Sequence, residues 1–268
     1  MPNVYLRLIL FFLLSYALSW FGWFANWLAP NPFFAFFDPM NPLGPIIAAP
    51  LVILFTEGGA GLKTWARRLV HFRAPVWVYA AAFGIPLAII VTSLYLTAAT
   101  GAVMRPLPEL AIADFFLAIP LVLISGPFPE EVSFRGYGQV ALQKQISPLA
   151  AALAIGVGVL IWHTPLIVTG HLPWPWMVTI VLVSVVYAWL YNMGGSVWPM
   201  VAVHFTVNYF GSEFLGVRVS DPDTHMIYAS IYLVGYLIWA AVIIARYGPS
   251  LGRDARREIA AGAAGIVA

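Results

Sequence analysis

Residues 145–212 contain no Asp, Glu, Lys or Arg, whereas about one residue in four is charged in an average soluble domain. A stretch without charges cannot form a hydrated surface, so most of it must face lipid or other apolar segments. The whole chain has the same character, since 62% of its 268 residues are hydrophobic and only 9% are charged. This composition excludes an ordinary soluble protein and indicates an integral membrane protein.

Apolar runs that approach the roughly 20 residues needed to cross a bilayer recur along the chain. Their length favours helices, because a transmembrane β-barrel would show short segments of alternating hydrophobicity instead. We therefore predict an all-α, polytopic bundle of about eight transmembrane helices. The predicted spans are Tyr5–Asn26, Met40–Thr56, Val76–Ala99, Ala111–Phe128, Pro148–Thr169, Trp174–Tyr191, Ser196–Gly211 and Ile227–Ala245.

Basic residues cluster at two positions that a membrane protein keeps in the cytoplasm. One cluster follows the second predicted span and the other follows the last, and the positive-inside rule assigns both to the cytoplasmic side. An even number of spans agrees, because it places both termini on that side. We expect a location in the plasma membrane of a prokaryote. The clusters comprise Lys63, Arg67, Arg68 and Arg73, and Arg246, Arg253, Arg256 and Arg257.

We predict one transmembrane domain over residues 1–248 and a cytoplasmic, disordered tail over residues 249–268. Cysteine is absent, which excludes disulfides, thiolate catalysis and cysteine-ligated metals. The net charge of +2 is too small to indicate a nucleic-acid partner. The partner that the composition does indicate is the lipid bilayer.

Three polar sets fall inside predicted spans, where ionisable side chains are costly and mark functional sites. The turn at residues 143–148 is about 16 residues from the paired glutamates and from His163, so an antiparallel hairpin would bring them to one level. His204 and Asn208 are four residues apart and therefore share a helix face. The three sets are Glu130, Glu131 and Arg135; His163; and His204 with Asn208.

Spacing separates the roles of the two glutamates. Arg135 follows Glu131 by four residues, the favourable order for a helical ion pair, whereas Glu130 is rotated about 100° away. We interpret Glu131 and Arg135 as a structural ion pair. Glu130 is left to face a cavity, where it is suited to take a proton from water and later return it.

The histidines and the amide extend this interpretation. His163 could position the water, and His204 with Asn208 could donate hydrogen bonds to an oxyanion as a peptide carbonyl becomes tetrahedral. Two alternatives use the same residues: a proton-coupled transporter with a Glu/His relay, and a non-catalytic immunity or binding protein that keeps the pocket. The absence of internal repeats argues against transport.

Three motifs occur in the order found in a known family. EEVSFRG begins at Glu130 and fits an EExxxR pattern, VLIWH ends at His163, and GSVWPMVAVHFTVN ends at Asn208. Over about residues 117–210 the sequence resembles the CPBP family of intramembrane endopeptidases, also called the CAAX prenyl protease and bacteriocin-processing, type II CAAX protease or Abi family. The family's FxxxH motif has Val159 here in place of its Phe.

The resemblance implies an eight-helix peptidase whose active site is reached from the cytoplasmic side. It implies that Glu130 activates water, that His163 lies beside it, and that His204 with Asn208 are further catalytic or oxyanion-stabilising groups. The expected substrate is a membrane-associated peptide or protein, which is lipidated for the eukaryotic members.

A metal ion is an open question at this stage. The family is often labelled metallopeptidase, yet the zinc signature HExxH is absent from its motifs. Glu130, His163 and His204 could hold zinc or another divalent metal, since zinc takes such N and O donors in a catalytic site with one open position. A metal-free, glutamate-activated water would use the same residues, and we favour that form.

Overall fold

The structure, a computed structural model, describes residues 3–30, 38–107, 112–219 and 221–256. Within these ranges the secondary structure is helical and no strand is present, which confirms the predicted all-α class. Six helical segments are long and apolar enough to cross a membrane, so the chain is an integral membrane protein. They are Val4–Ala25, Asn41–Leu69, Val76–Ala99, Ile112–Leu142, Trp174–Gly194 and Pro222–Ser250.

The predicted number of spans, about eight, is not confirmed. The α-helix of the fifth predicted span has only 15 residues. The α-helix of the seventh has nine, and a π-helix of eight residues continues it to Phe214. The fifth predicted span, Pro148–Thr169, is interrupted because its helix ends at Trp162 and a short helix begins at Thr164. The structure therefore supports six long spans and two shorter helical segments among the described residues.

Helices are numbered in chain order. Two π-helical segments each continue an α-helix. The α-helices are α1 (Val4–Leu28), α2 (Gly44–Leu69), α3 (Val76–Ala99), α4 (Ile112–Ser125), α5 (Pro127–Glu130), α6 (Val140–Leu142), α7 (Pro148–Trp162), α8 (Thr164–Val168), α9 (Trp174–Gly194), α10 (Trp198–Thr206) and α11 (Pro222–Tyr247). The π-helices are π1 (Glu131–Gln139), between α5 and α6, and π2 (Val207–Phe214), after α10. Short 3₁₀ helices cover Asp38–Leu43, Gly216–Val219 and Gly248–Ser250.

Several long helices begin at a capping side chain. Asn3, Ser147 and Asp221 each accept a hydrogen bond from a backbone N–H three residues ahead. A proline follows both Ser147 and Asp221, at a position where its missing N–H costs no helical bond. Hydrogen bonds from Thr224 also hold the pKa of Asp221 below its usual range. The sequence at these positions therefore fixes where α1, α7 and α11 start.

Helix α9 lies at the centre of the bundle. It is 61% buried over its apolar stretch, against 39% or less for the other long spans, and it packs against α7 and α11. The outer helices instead present large apolar side chains outwards, such as Phe55 at 83% and Tyr95 at 74% exposure. Side chains of α9 therefore reach the interior, while α2 and α3 supply lipid-facing surface.

The two ends of the bundle differ in charge. At the basic end α1 begins, α2 and α11 end, and α6 turns into α7. The distal end comprises the 100–107 loop, the connection from α8 to α9 and residues 215–222, and its described basic residues are Arg105 and Arg218. By the positive-inside rule the basic end is cytoplasmic, an orientation that stays a prediction. The described basic residues of the basic end are Arg7, Lys63, Arg67, Arg68, Arg73, Lys144, Arg246, Arg253 and Arg256.

The segment after residue 248 was predicted to be disordered, and its described part is instead packed. Leu251 is fully buried, and Asn192 Nδ2 donates to its carbonyl oxygen at 3.2 Å. Arg253 donates through a terminal guanidinium nitrogen to the Gln143 carbonyl oxygen at 2.9 Å. Residues 249–256 therefore lie on the basic end, because an apolar side chain and a guanidinium find partners there. Residues 257–268 lie outside the described residues.

We predict that Gly156→Leu destabilises the packing of α7 on α9. A Cβ on Gly156 would lie 2.9 Å from Ser184 Oγ and 3.1 Å from Val181 Cα, so a leucine forces the two helices apart. Overpacking of this kind costs about 1–3 kcal/mol, and thermal unfolding in detergent measures it. Gly84→Leu is the control, since nothing lies within 4 Å of its Cβ position. Equal midpoints for the two variants would contradict this packing.

Candidate active site

A cavity of about 430 Å³ lies inside the bundle, and residues of α7, α9, α11, π1 and π2 line it. Every residue that the sequence marked at the site lines this cavity. Those residues are Glu130, Glu131, Arg135, His163, His204 and Asn208. The fold thus brings the three polar sets together, and the roles of the residues stay predictions.

The paired glutamates lie where the helical geometry changes. Helix α4 ends at Ser125 and α5 ends at Glu130. From Glu131 the backbone is π-helical, so that the Val140 N–H donates to the Arg135 carbonyl oxygen five residues earlier. The second π-helix begins between the histidine and the asparagine of the HFTVN motif. π-Helical turns occur frequently at functional sites, because they re-aim side chains that a regular α-helix would rotate away.

Glu131 is the centre of a buried polar chain. Its Oε1 lies 2.8 Å from His204 Nδ1, and its Oε2 lies 3.3 Å from Arg135 Nε. Arg135 also donates to Ser184 Oγ at 3.0 Å and stacks on the ring of Tyr187, with its guanidinium carbon 4.6 Å from the ring centroid. The expected Glu131–Arg135 ion pair is present. The contact between Glu131 and His204 was missed, because spacing along the chain shows neighbours on one helix only.

This series of buried polar contacts fixes π1, α9 and α10 relative to one another. Glu131 is 1% and Arg135 is 2% exposed, and burying either charge alone would cost several kilocalories per mole. Contacts with His204 and Ser184 link π1 to α10 and α9. The orientation of the imidazole is therefore set by a carboxylate that is itself fixed by a guanidinium.

Three polar atoms converge beside Gly126. A Cβ on this glycine would lie 3.2 Å from Glu130 Oε1 and 3.3 Å from Asn208 Nδ2. It would lie 3.7 Å from His204 Nε2, the ring nitrogen that does not contact Glu131. Any side chain here would enter the space shared by these atoms. Gly126 was not predicted from the sequence, although its place directly before the proline-rich start of α5 was an available signal.

His163 reaches the cavity from the end of a helix. It follows the last residue of α7, Trp162, whose ring its own ring meets edge-on with centroids 4.8 Å apart. Its Nδ1 lies 2.8 Å from the Val159 carbonyl oxygen; since a carbonyl only accepts, Nδ1 carries the proton. Val159 thus holds the histidine through its backbone, whereas its side chain lines the cavity.

The donor set fits a catalytic zinc ion incompletely. The structure groups Glu130, Glu131 and His204, whose ligand atoms lie within 4.8 Å of one another, and His163 of the expected set is not in this group. Glu131 is engaged by Arg135 and by His204 Nδ1, which makes it an orienting carboxylate. Glu130 and His204 Nε2 remain, fewer than the three protein ligands typical of catalytic zinc. The neighbouring guanidinium further disfavours a divalent cation.

Comparison with known families decides the relationship. The family model of the type II CAAX prenyl endopeptidases, Rce1-like, matches residues 112–210. Over this segment the chain is similar to the CPBP family. The matched segment runs from α4 into π2 and includes every residue of the candidate site. No curated protein matches the chain.

We predict that Arg135→Leu destabilises the protein far more than Glu130→Gln does. Removing the guanidinium leaves the buried Glu131 carboxylate without its cation, which typically costs about 3–5 kcal/mol. Yield and thermal unfolding in detergent measure the difference. A double variant that also carries Glu131→Leu should recover part of the loss. If Arg135→Leu and Glu130→Gln lose the protein equally, the division between structural and reactive glutamates is wrong.

Proposed function

We propose that this protein is an intramembrane endopeptidase that hydrolyses a peptide bond of a membrane-associated substrate with a glutamate-activated water. The observation that carries the proposal is the convergence of the Glu130 carboxylate, the Asn208 amide and the His204 imidazole on one point beside Gly126. All three residues line the cavity. These groups supply a base and hydrogen-bond donors for addition to a carbonyl. The family match supports the same class of reaction.

The first step is attack by water. Glu130 accepts a proton from the water as the water oxygen bonds to the peptide carbonyl carbon, and the carbonyl π electrons move onto the carbonyl oxygen. Asn208 Nδ2–H donates to this oxyanion. His204 donates through Nε2–H in its imidazolium form, while Glu131 balances the imidazolium charge.

The second step is collapse of the tetrahedral intermediate. The carbon–nitrogen bond breaks, Glu130 returns its proton to the leaving amine nitrogen, and the oxyanion becomes a carbonyl again. His163 orients the attacking water, because its Nδ1 is held by the Val159 carbonyl and Nε2 remains as an acceptor. The products are a new carboxyl terminus and a new amino terminus.

We predict that Glu130→Gln abolishes cleavage without loss of the folded protein. An amide cannot take the proton from water, and general-base catalysis contributes roughly 10²–10⁴-fold. Purified protein in proteoliposomes would be incubated with hydrophobic and lipidated peptides, and mass spectrometry would quantify the products. Glu57→Gln is the matched control, because Glu57 is paired with Arg7 at 3.1 Å, away from the cavity.

Three results, from that assay with and without a chelator and from a flux measurement, would contradict the proposal. Wild-type rates for Glu130→Gln would remove the proposed base. Loss of cleavage with a strong chelator, restored by zinc, would overturn the metal-free form. No cleavage by the wild type, together with proton-coupled flux that Glu130→Gln abolishes, would favour the transporter.

We predict that Gly126→Ala lowers kcat at least about tenfold while the protein remains folded. Its methyl group would occupy the point shared by the Glu130, Asn208 and His204 atoms, and small displacements of reacting groups cost 10²-fold or more. Gly59→Ala is the control, with open space at its Cβ position. Unchanged kinetics for Gly126→Ala would show that water and substrate meet elsewhere.

A further inference from the structure

The cavity has a direction along the bundle. Its deep part is lined by Glu131, Arg135 and Tyr187, and its outer part by His171 and Gly216. The last two lie in the connection from α8 to α9 and in the 3₁₀ helix after π2, both at the distal end. The cavity therefore extends from the ion pair to the distal end.

The other side of the ion pair is filled. Gln139 Nε2 donates to Gln143 Oε1 at 3.1 Å, and Gln143 Nε2 donates to Asn192 Oδ1 at 3.2 Å. These three side chains are 8% or less exposed, and the buried Leu251 lies beside them. Among the described residues, the lining of this cavity therefore does not extend to the basic end.

Two expectations about the side of the membrane that this cavity faces disagree with each other. Nine described basic residues lie at the basic end against two at the distal end, so the positive-inside rule makes the basic end cytoplasmic. The family resemblance implied access from the cytoplasm. A cavity that opens at the distal end cannot satisfy both expectations. We follow the positive-inside rule, because the charge distribution is a property of this chain itself.

The outer part of the cavity has an aromatic wall. On α11 the residues His225, Tyr228, Tyr232 and Tyr236 follow at intervals of three and four, which places them on one helix face. On the parallel helix α9 the ring of Trp176 lies 4.7 Å from that of Tyr232. From His225 to Tyr236 the helix rises by about 16 Å, the length of about five extended peptide residues.

One group on this wall lacks a partner. Tyr228 is 1% exposed, and its hydroxyl makes no hydrogen bond to any described residue. An unsatisfied buried hydroxyl is costly, so its position on the cavity wall points to a ligand with a polar atom at this depth. A peptide carbonyl in an otherwise apolar segment provides such an atom. Among the described residues, no Asp, Glu, Lys or Arg lines the cavity outside the Glu130, Glu131 and Arg135 cluster.

We propose that the substrate enters from the distal, non-cytoplasmic end as an uncharged, extended peptide segment. About five of its residues lie along the aromatic wall, and a backbone carbonyl accepts a hydrogen bond from the Tyr228 hydroxyl. The scissile bond then reaches Glu130 at the deep end. This inference rests on the proposed peptidase function and adds the side of entry and the class of segment bound.

The side of entry is tested by labelling single cysteines. The chain has no cysteine of its own, so His171→Cys reports the distal mouth and Lys144→Cys the basic end; both positions are exposed. A membrane-impermeant maleimide should label His171→Cys in spheroplasts and Lys144→Cys only in inverted vesicles. The reverse pattern would overturn the proposed side of entry.

The binding wall is tested by cleavage kinetics. Tyr228→Phe should raise KM about threefold to tenfold with kcat unchanged, since one neutral hydrogen bond is lost; Tyr95→Phe, on an exposed tyrosine, is the control. Val183→Trp should block the cavity, whereas Val178→Trp on the same helix, 42% exposed, should not. A charged residue in the substrate peptide should reduce cleavage more when it lies within the five residues along the aromatic wall than when it lies outside them.

These experiments distinguish failure of the proposed binding wall from failure of the proposed peptidase function. Cleavage that depends on Glu130 but is insensitive to Tyr228→Phe, Val183→Trp and charge placement would overturn the binding wall and leave the peptidase function intact. Absence of cleavage by the wild type would overturn both.

Discussion

Burial of the Glu131 carboxylate is the constraint on which the site depends. A charge in an apolar bundle is tolerated only where ionic and hydrogen-bonding partners replace water, and here Arg135 and His204 do so. Ser184 and the Tyr187 ring hold the guanidinium in turn. Because these partners come from α9 and α10, satisfying one charge also fixes the relative positions of the helices. The adjacent Glu130 takes no part in this series of contacts and lines the cavity.

The polar atoms of the candidate site meet because the backbone departs from regular geometry in two places. The break at Gly126 and the π-helices on either side of the cavity bring a carboxylate and an amide to one point. π-Helical segments are rare in proteins and are frequently found at functional sites. Packing of the surrounding helices, above all of the central α9, must compensate for them.

Much of this arrangement could be predicted from the sequence, and the remainder depends on contacts between helices. Apolar runs predicted the all-α membrane fold, and the four-residue spacing predicted the Glu131–Arg135 pair, because both are properties of single helices. The contact of His204 with Glu131, the role of Gly126 and the end of α7 at Trp162 depend on the packing of separate segments. The predicted metal set of Glu130, His163 and His204 was reasoned from residue types alone, and the described donor group differs from it.

Val159 orients His163 through its main chain and shapes the cavity through its side chain. Its Nδ1 contacts the main-chain oxygen of residue 159, an atom that every amino acid supplies. The side chain at the same position forms part of the cavity wall, and valine stands there where the family motif has phenylalanine. Substitution at residue 159 can therefore enlarge or reshape the cavity while the imidazole keeps its orientation. In the proposed peptidase, such a position would allow a change of substrate without a change in the orientation of His163.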